Sequence, residues 1–105
     1  MQIIEKNIDS KLLRIIVINT NNKSLACIKE LIKKKCIYFD YIVIFNDDRR
    51  YNDNNVLLYT NSFTRILTQK SKSYYSYQAI IIDYMKSDTY KNYLRSKKFE
   101  RIMAY

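Results

Sequence analysis

A single domain of the α+β class over residues 1–105 is predicted by three observations. Short β-branched runs alternate with two stretches of helical spacing. A polar, basic segment parts two of the β-prone runs, as a turn or arm would. Finally, 105 residues with a 48% hydrophobic fraction allow one modest core, and no linker composition or internal repeat divides it.

Residues 12–19 (LLRIIVIN) read as the first strand. Only Arg14 breaks their apolar character, so both faces of this strand should be covered. Residues 1–8 are either a short extra strand or an ordered tail. Thr20, Asn21 and Asn22 supply N-cap oxygens for a helix whose apolar stripe is Leu25, Ile28, Leu31 and Ile32. Lys33, Lys34 and Lys35 crowd its last turn, where cations suit the negative end of the helix dipole. They read either as a solvated helix end or as phosphate contacts.

Residues 37–45 (IYFDYIVIF) read as the second strand. In residues 46–55, Asp or Asn takes seven of ten positions, so a loop or bulge is expected before the strand resumes at Val56. Arg49 and Arg50 in this loop either pair with Asp47, Asp48 and Asp53 or reach phosphate. Residues 56–60 and 75–84 then read as strands flanking a polar segment, 61–74. Together they predict a long β-hairpin arm of about residues 46–78. Ser87 or Asp88 caps a second helix over 89–98, with Tyr90, Tyr93 and Leu94 inward. Residues 99–104 (FERIMA) close the chain as a short strand. The order strand, helix, strand, strand, helix, strand predicts a ferredoxin-like split βαβ sandwich (βαββαβ), both helices on one face of the sheet, with a long β-hairpin arm.

Lys and Arg number 19 against 10 acidic residues, a net charge of +9. A surplus of that size on a small body points to an anionic partner, nucleic acid before membrane. The chain contains no Gly, Pro, His or Trp. The residues it favours instead are those written in A- and T-rich codons, which suggests an AT-rich genome such as an organelle's. The same absences exclude a glycine-rich phosphate cradle and an imidazole base or zinc ligand. Cys27 and Cys36 stand nine residues apart around one helix, so thiols in a reducing compartment are expected rather than a disulfide. No run reaches the ~18 apolar residues of a membrane span. The first ten residues carry Glu5 and Asp9 and no Arg, unlike a secretory or transit peptide. No enzyme activity, cofactor or metal is expected.

The predicted arm carries the functional expectation. Arg65, Lys70 and Lys72 can neutralise phosphates along a groove. Phe63, Tyr74 and Tyr75 offer faces for base or ribose stacking. Thr60, Asn61, Ser62, Thr64 and Thr68 can bond phosphate and 2′-hydroxyl oxygens. With Arg49 and Arg50 these make up the expected RNA-binding set.

The chain resembles ribosomal protein S-ten, the universal small-subunit ribosomal protein number ten. The strand IIVIN is followed by a helix opening at Asn21. VLLYTNSFTR stands where that family's arm turns, and the run from Lys70 to Ser76 stands for its returning stretch. AIIIDYMKSDTYKNYLRSKKFERIMAY is similar to its closing strand, helix and strand. The resemblance spans residues 12–105 and rests on order and spacing. It implies a structural constituent of the small-subunit head, here of divergent mitochondrial type, binding rRNA and acting in translation. Its neighbours would be small-subunit proteins three and fourteen. It places the chain on a mitochondrial ribosome, organelle-encoded, or on the cytoplasmic ribosome of an AT-rich organism.

Two rivals come from other classes. Residues 15–48 also look like the opening of a nucleotide-sugar glycosyltransferase domain, with Asn46, Asp47 and Asp48 ending its second strand. The other is a small viral module that binds protein through an open sheet.

Overall fold

The computed structural model describes residues 1–20, 25–48, 53–70 and 76–103. They form a mixed α+β fold of five strands and three helices. In chain order these are β1 (Gln2–Ile8), β2 (Lys11–Thr20), α1 (Leu25–Lys34), β3 (Tyr41–Asp48), β4 (Asp53–Thr60), β5 (Arg65–Lys70), α2 (Tyr77–Met85) and α3 (Asp88–Met103). The strands lie side by side in chain order. All neighbours are antiparallel except β2 and β3, which run parallel across α1.

β2 and β3 explain the three-layer build. Their near-continuous apolar runs need cover on both faces, as a central strand does. One face buries Leu13, Ile15, Val17, Val43, Val56 and Leu58 against Ile80, Ile81, Tyr84 and Tyr90 of α2 and α3. The other buries Ile16, Ile18, Ile42, Ile44 and Tyr59 against Ile28 and Ile32 of α1.

Of the two readings of residues 1–8 the extra strand holds, as Gln2–Ile8, closed onto β2 by Asp9 and Ser10, both in the left-handed region (φ 52° and 64°) that a two-residue hairpin turn demands. The architecture corrects the sequence expectation at three other places. Residues 46–48 extend β3 instead of opening a loop, pairing Asn46 with Asn55 and Asp48 with Asp53. The expected strand over 75–84 is mostly helix. Ser76 caps it by accepting from the Ala79 N–H at 3.2 Å, and Ile80, Ile81 and Tyr84 are buried at helical spacing while Ile82 and Asp83 are exposed. The final strand is absent, because α3 runs on to Met103. The element order is therefore not βαββαβ, and the helices cover both faces rather than one. No hairpin arm spans 46–78 in the described residues. Arg65–Lys70 of this span fold back as β5, paired in the sheet from Asn55–Lys70 to Tyr59–Arg65.

With no glycine in the chain, other residues take the left-handed positions. Cys36 (φ 51°) ends α1. Its N–H donates to Lys33 O and the Ile37 N–H to Ile32 O, both at 3.1 Å, the paired bonds of a Schellman motif. Ile37 and Ile32 meet in the same core cluster, the apolar contact that goes with the motif. A side chain in this conformation costs ~1–2 kcal/mol, part of which glycine returns as backbone entropy. Cys36→Gly is therefore expected to raise stability by up to about 1 kcal/mol in urea unfolding. An unchanged midpoint would show that the motif bears no such strain.

Candidate nucleic-acid interface

Where the start of α3 passes the β4–β5 turn, it leaves a groove of about 460 Å³. Tyr41, Tyr84 and Tyr90 form a ladder of edge-to-face rings in it. Centroids are 5.9 Å apart for Tyr41–Tyr84 and 5.3 Å for Tyr84–Tyr90. Burial holds the Tyr41 phenol protonated well above its ordinary range and shifts the Tyr84 phenol upward too, with the neighbouring phenols adding to the effect. The Lys11 ammonium donates to Tyr90 Oη at 2.7 Å and lies 5.4 Å from that ring's centre. The hydrogen bond keeps Lys11 charged above its usual range. One turn further along α3, Tyr93 is 47% exposed in the same groove, with Lys97 Nζ 5.0 Å from its ring centre.

The opposite rim is a row of hydroxyls. Thr60 Oγ1 and Ser62 Oγ lie 2.9 Å apart, and Ser62 Oγ and Thr64 Oγ1 3.1 Å apart. Phe63 shapes this row. Its backbone is left-handed (φ 60°), costly for a bulky residue. Two backbone bonds hold it, Phe63 N to Thr60 O at 2.9 Å and Thr60 N to Thr64 O at 3.0 Å. The ring turns to the α1 face, edge-on to Phe39 at 5.3 Å and under Lys29 Nζ at 5.3 Å.

The phenols carry a pH prediction. An unfolded tyrosine ionises near pH 10. Tyr41 and Tyr84 ionise above that in the fold, so the folded state holds its protons more tightly. Their contribution to stability is complete below about pH 10 and is lost as pH rises beyond it. Alkaline unfolding should be cooperative and carry tyrosinate absorbance with it, and Tyr41→Phe should move its midpoint upward. A smooth titration of all 11 tyrosines without loss of circular dichroism would contradict this.

Of the residues expected from sequence to bind RNA, Thr60, Asn61, Ser62 and Thr64 line the groove, and Thr68 does not. Arg65 is exposed at the start of β5. Phe63 is spent on the α1 layer and offers the groove no face. Lys70 ends β5 in the backbone, while Arg49, Arg50, Lys72, Tyr74 and Tyr75 lie outside the described residues. Sequence reasoning missed Lys11, Tyr41 and Tyr84. It assigned Tyr90, Tyr93 and Leu94 to the core, but only Tyr90 is buried. The i, i+3, i+4, i+7 spacing of Tyr90, Tyr93, Leu94 and Lys97 was the available signal: one stripe of a helix that ends in a cation.

α3 is itself cationic. Its sequence holds Lys91, Arg95, Lys97, Lys98 and Arg101 against Asp88 and Glu100. Every side chain from Lys91 to Lys97 is exposed, and the helix is 16 residues, about 24 Å, long. Among the described residues no helix is long and apolar enough to cross a membrane. No known protein family, curated protein or solved structure matches the chain.

Proposed function

We propose that the protein binds RNA, without catalysis, through α3 and the groove at its root. One observation carries this reading: α3 sets Tyr93 and Lys97 side by side in a groove that also holds Lys11 and a row of hydroxyls. Aromatic faces beside cations and hydroxyls suit unpaired nucleotides, whose bases stack while their phosphates are neutralised. The net charge of +9 adds long-range attraction for a polyanion.

The narrower form of this reading is a constituent of the small ribosomal subunit, with small-subunit rRNA and ribosomal proteins three and fourteen as neighbours. Of the three matches that suggested it, the opening strand and helix have counterparts in β2 and α1, the closing strand–helix–strand is instead two helices, α2 and α3, and the arm has no counterpart in the described residues. RNA contact therefore moves from the hairpin to α3. The glycosyltransferase rival shares the same parallel opening, but β4 and β5 return antiparallel where that domain would extend a parallel sheet.

Binding of single-stranded RNA across a salt series tests the general reading. The logarithm of affinity should fall linearly with the logarithm of salt, by about 0.7 per neutralised phosphate. Co-sedimentation with small subunits tests the narrower one. Affinity that does not respond to salt would exclude a polyanion as the partner.

A further inference from the structure

The tyrosine ladder stops one ring short. Tyr41, Tyr84 and Tyr90 each meet a neighbour edge-to-face, and all three are shielded. Tyr93 lines the same groove, and nearly half its surface is open to solvent. Lys97 lies over its ring, and among the described residues no aromatic side chain is stacked there. Across the groove, Thr60, Ser62 and Thr64 present three hydroxyls in register. Each can still donate or accept beyond its neighbour's bond, because a hydroxyl has one proton and two lone pairs. The strained backbone at Phe63 is what spaces them. A bulky residue held left-handed and pinned by two backbone bonds is an over-determined feature of the kind found where a site must be rigid.

We propose that the groove seats one unstacked nucleotide of a bound single strand, its base against Tyr93 and its ribose-phosphate along the Thr60–Ser62–Thr64 hydroxyls. This rests on the RNA reading above and narrows it to unpaired RNA. The volume of about 460 Å³ is in the range of small-molecule sites, suited to one nucleotide and not to a duplex. Lys11 and Lys97 supply positive charge where the phosphate would lie. Asp40, the groove's acidic member, accepts the Arg14 backbone N–H at its Oδ2, at 2.8 Å. A duplex keeps its base faces inside the stack and offers Tyr93 nothing to cover.

The test compares oligouridylate with duplex RNA of equal length by fluorescence anisotropy. Tyr93→Ala should weaken single-strand binding about 5- to 150-fold, the range for loss of one stacked base. It should leave duplex binding and the salt slope as they were. Tyr93→Phe, which keeps the ring, should restore affinity. Because Tyr93 is already half exposed, truncation should not unfold the chain, and circular dichroism checks this. Two results overturn the seat while leaving RNA binding intact. One is a Tyr93→Ala protein that binds oligouridylate like the parent; the other is an equal loss on both RNAs. Absence of salt-dependent binding to either RNA overturns the seat and the RNA reading together.

Discussion

Truncating Ile81 to alanine is expected to destabilise the protein by about 2–5 kcal/mol, and truncating Ile82 by less than about 1 kcal/mol. The two residues are adjacent and identical in type. Ile81 is fully buried between α2 and the sheet; Ile82 is 38% exposed. The loss at Ile81 combines the transfer of its methyl and methylene groups with the cavity left beneath the sheet. A domain of this size has only ~5–15 kcal/mol of stability in total, so the Ile81 variant should be close to unfolding. The pair also separates helix from strand. In a helix, Ile80 and Ile81 both face the core and Ile82 turns away. In a strand, Ile80 and Ile82 would share one face and Ile81 the other. Urea unfolding of the three alanine variants should therefore rank Ile80 and Ile81 together, well above Ile82. A ranking that groups Ile80 with Ile82 would restore the strand and remove α2.

The second large effect is electrostatic. Replacing Lys91, Arg95 and Lys97 together with alanine should lower the salt slope of single-strand binding by about 2, at ~0.7 for each phosphate no longer neutralised. Affinity near physiological salt should fall on the order of 10- to 100-fold. All three side chains are exposed, and alanine favours helix, so α3 should remain folded. The comparison set is Arg65, Lys70 and Lys72, the cations that the sequence placed on a hairpin arm. Their triple alanine variant is expected to bind more nearly like the parent, because β5 keeps Arg65 and Lys70 in the sheet instead of on a projecting arm. If the β5 set costs more than the α3 set, the interface lies on the sheet edge and α3 is not its anchor.

Much of the central body was legible in the order of residues alone. The run LLRIIVIN is β-branched and apolar on both faces, and it became β2, buried between two layers. The stripe Ile28 and Ile32 became the inner face of α1, although Leu31, expected beside them, is 40% exposed. The Ser87 cap of the last helix is also seen, accepting from the Tyr90 N–H at 3.3 Å. The candidate site was less legible, because it is assembled across the fold. Lys11 and Tyr90 are 79 residues apart in the chain and 2.7 Å apart in space. No local pattern encodes that approach.

The AIII stretch shows where local reading fails. Three consecutive isoleucines satisfy a strand buried on both faces as well as one side of a helix. Once β1 to β5 have paired, Ile15, Val43 and Leu58 leave an apolar face that needs a lid, and only α2 and α3 are left to supply one. That demand overrides the β-branched preference of the segment. By itself the sequence determined which residues seek burial, the sign and size of the charge, and the β2–α1–β3 order. The tertiary structure alone decided which partner each buried face meets, that β5 returns to the sheet, and that α3 brings Tyr93 and Lys97 into one groove with Lys11. Hydrophobic pattern states the need for a contact, and only the closed chain says which surface answers it.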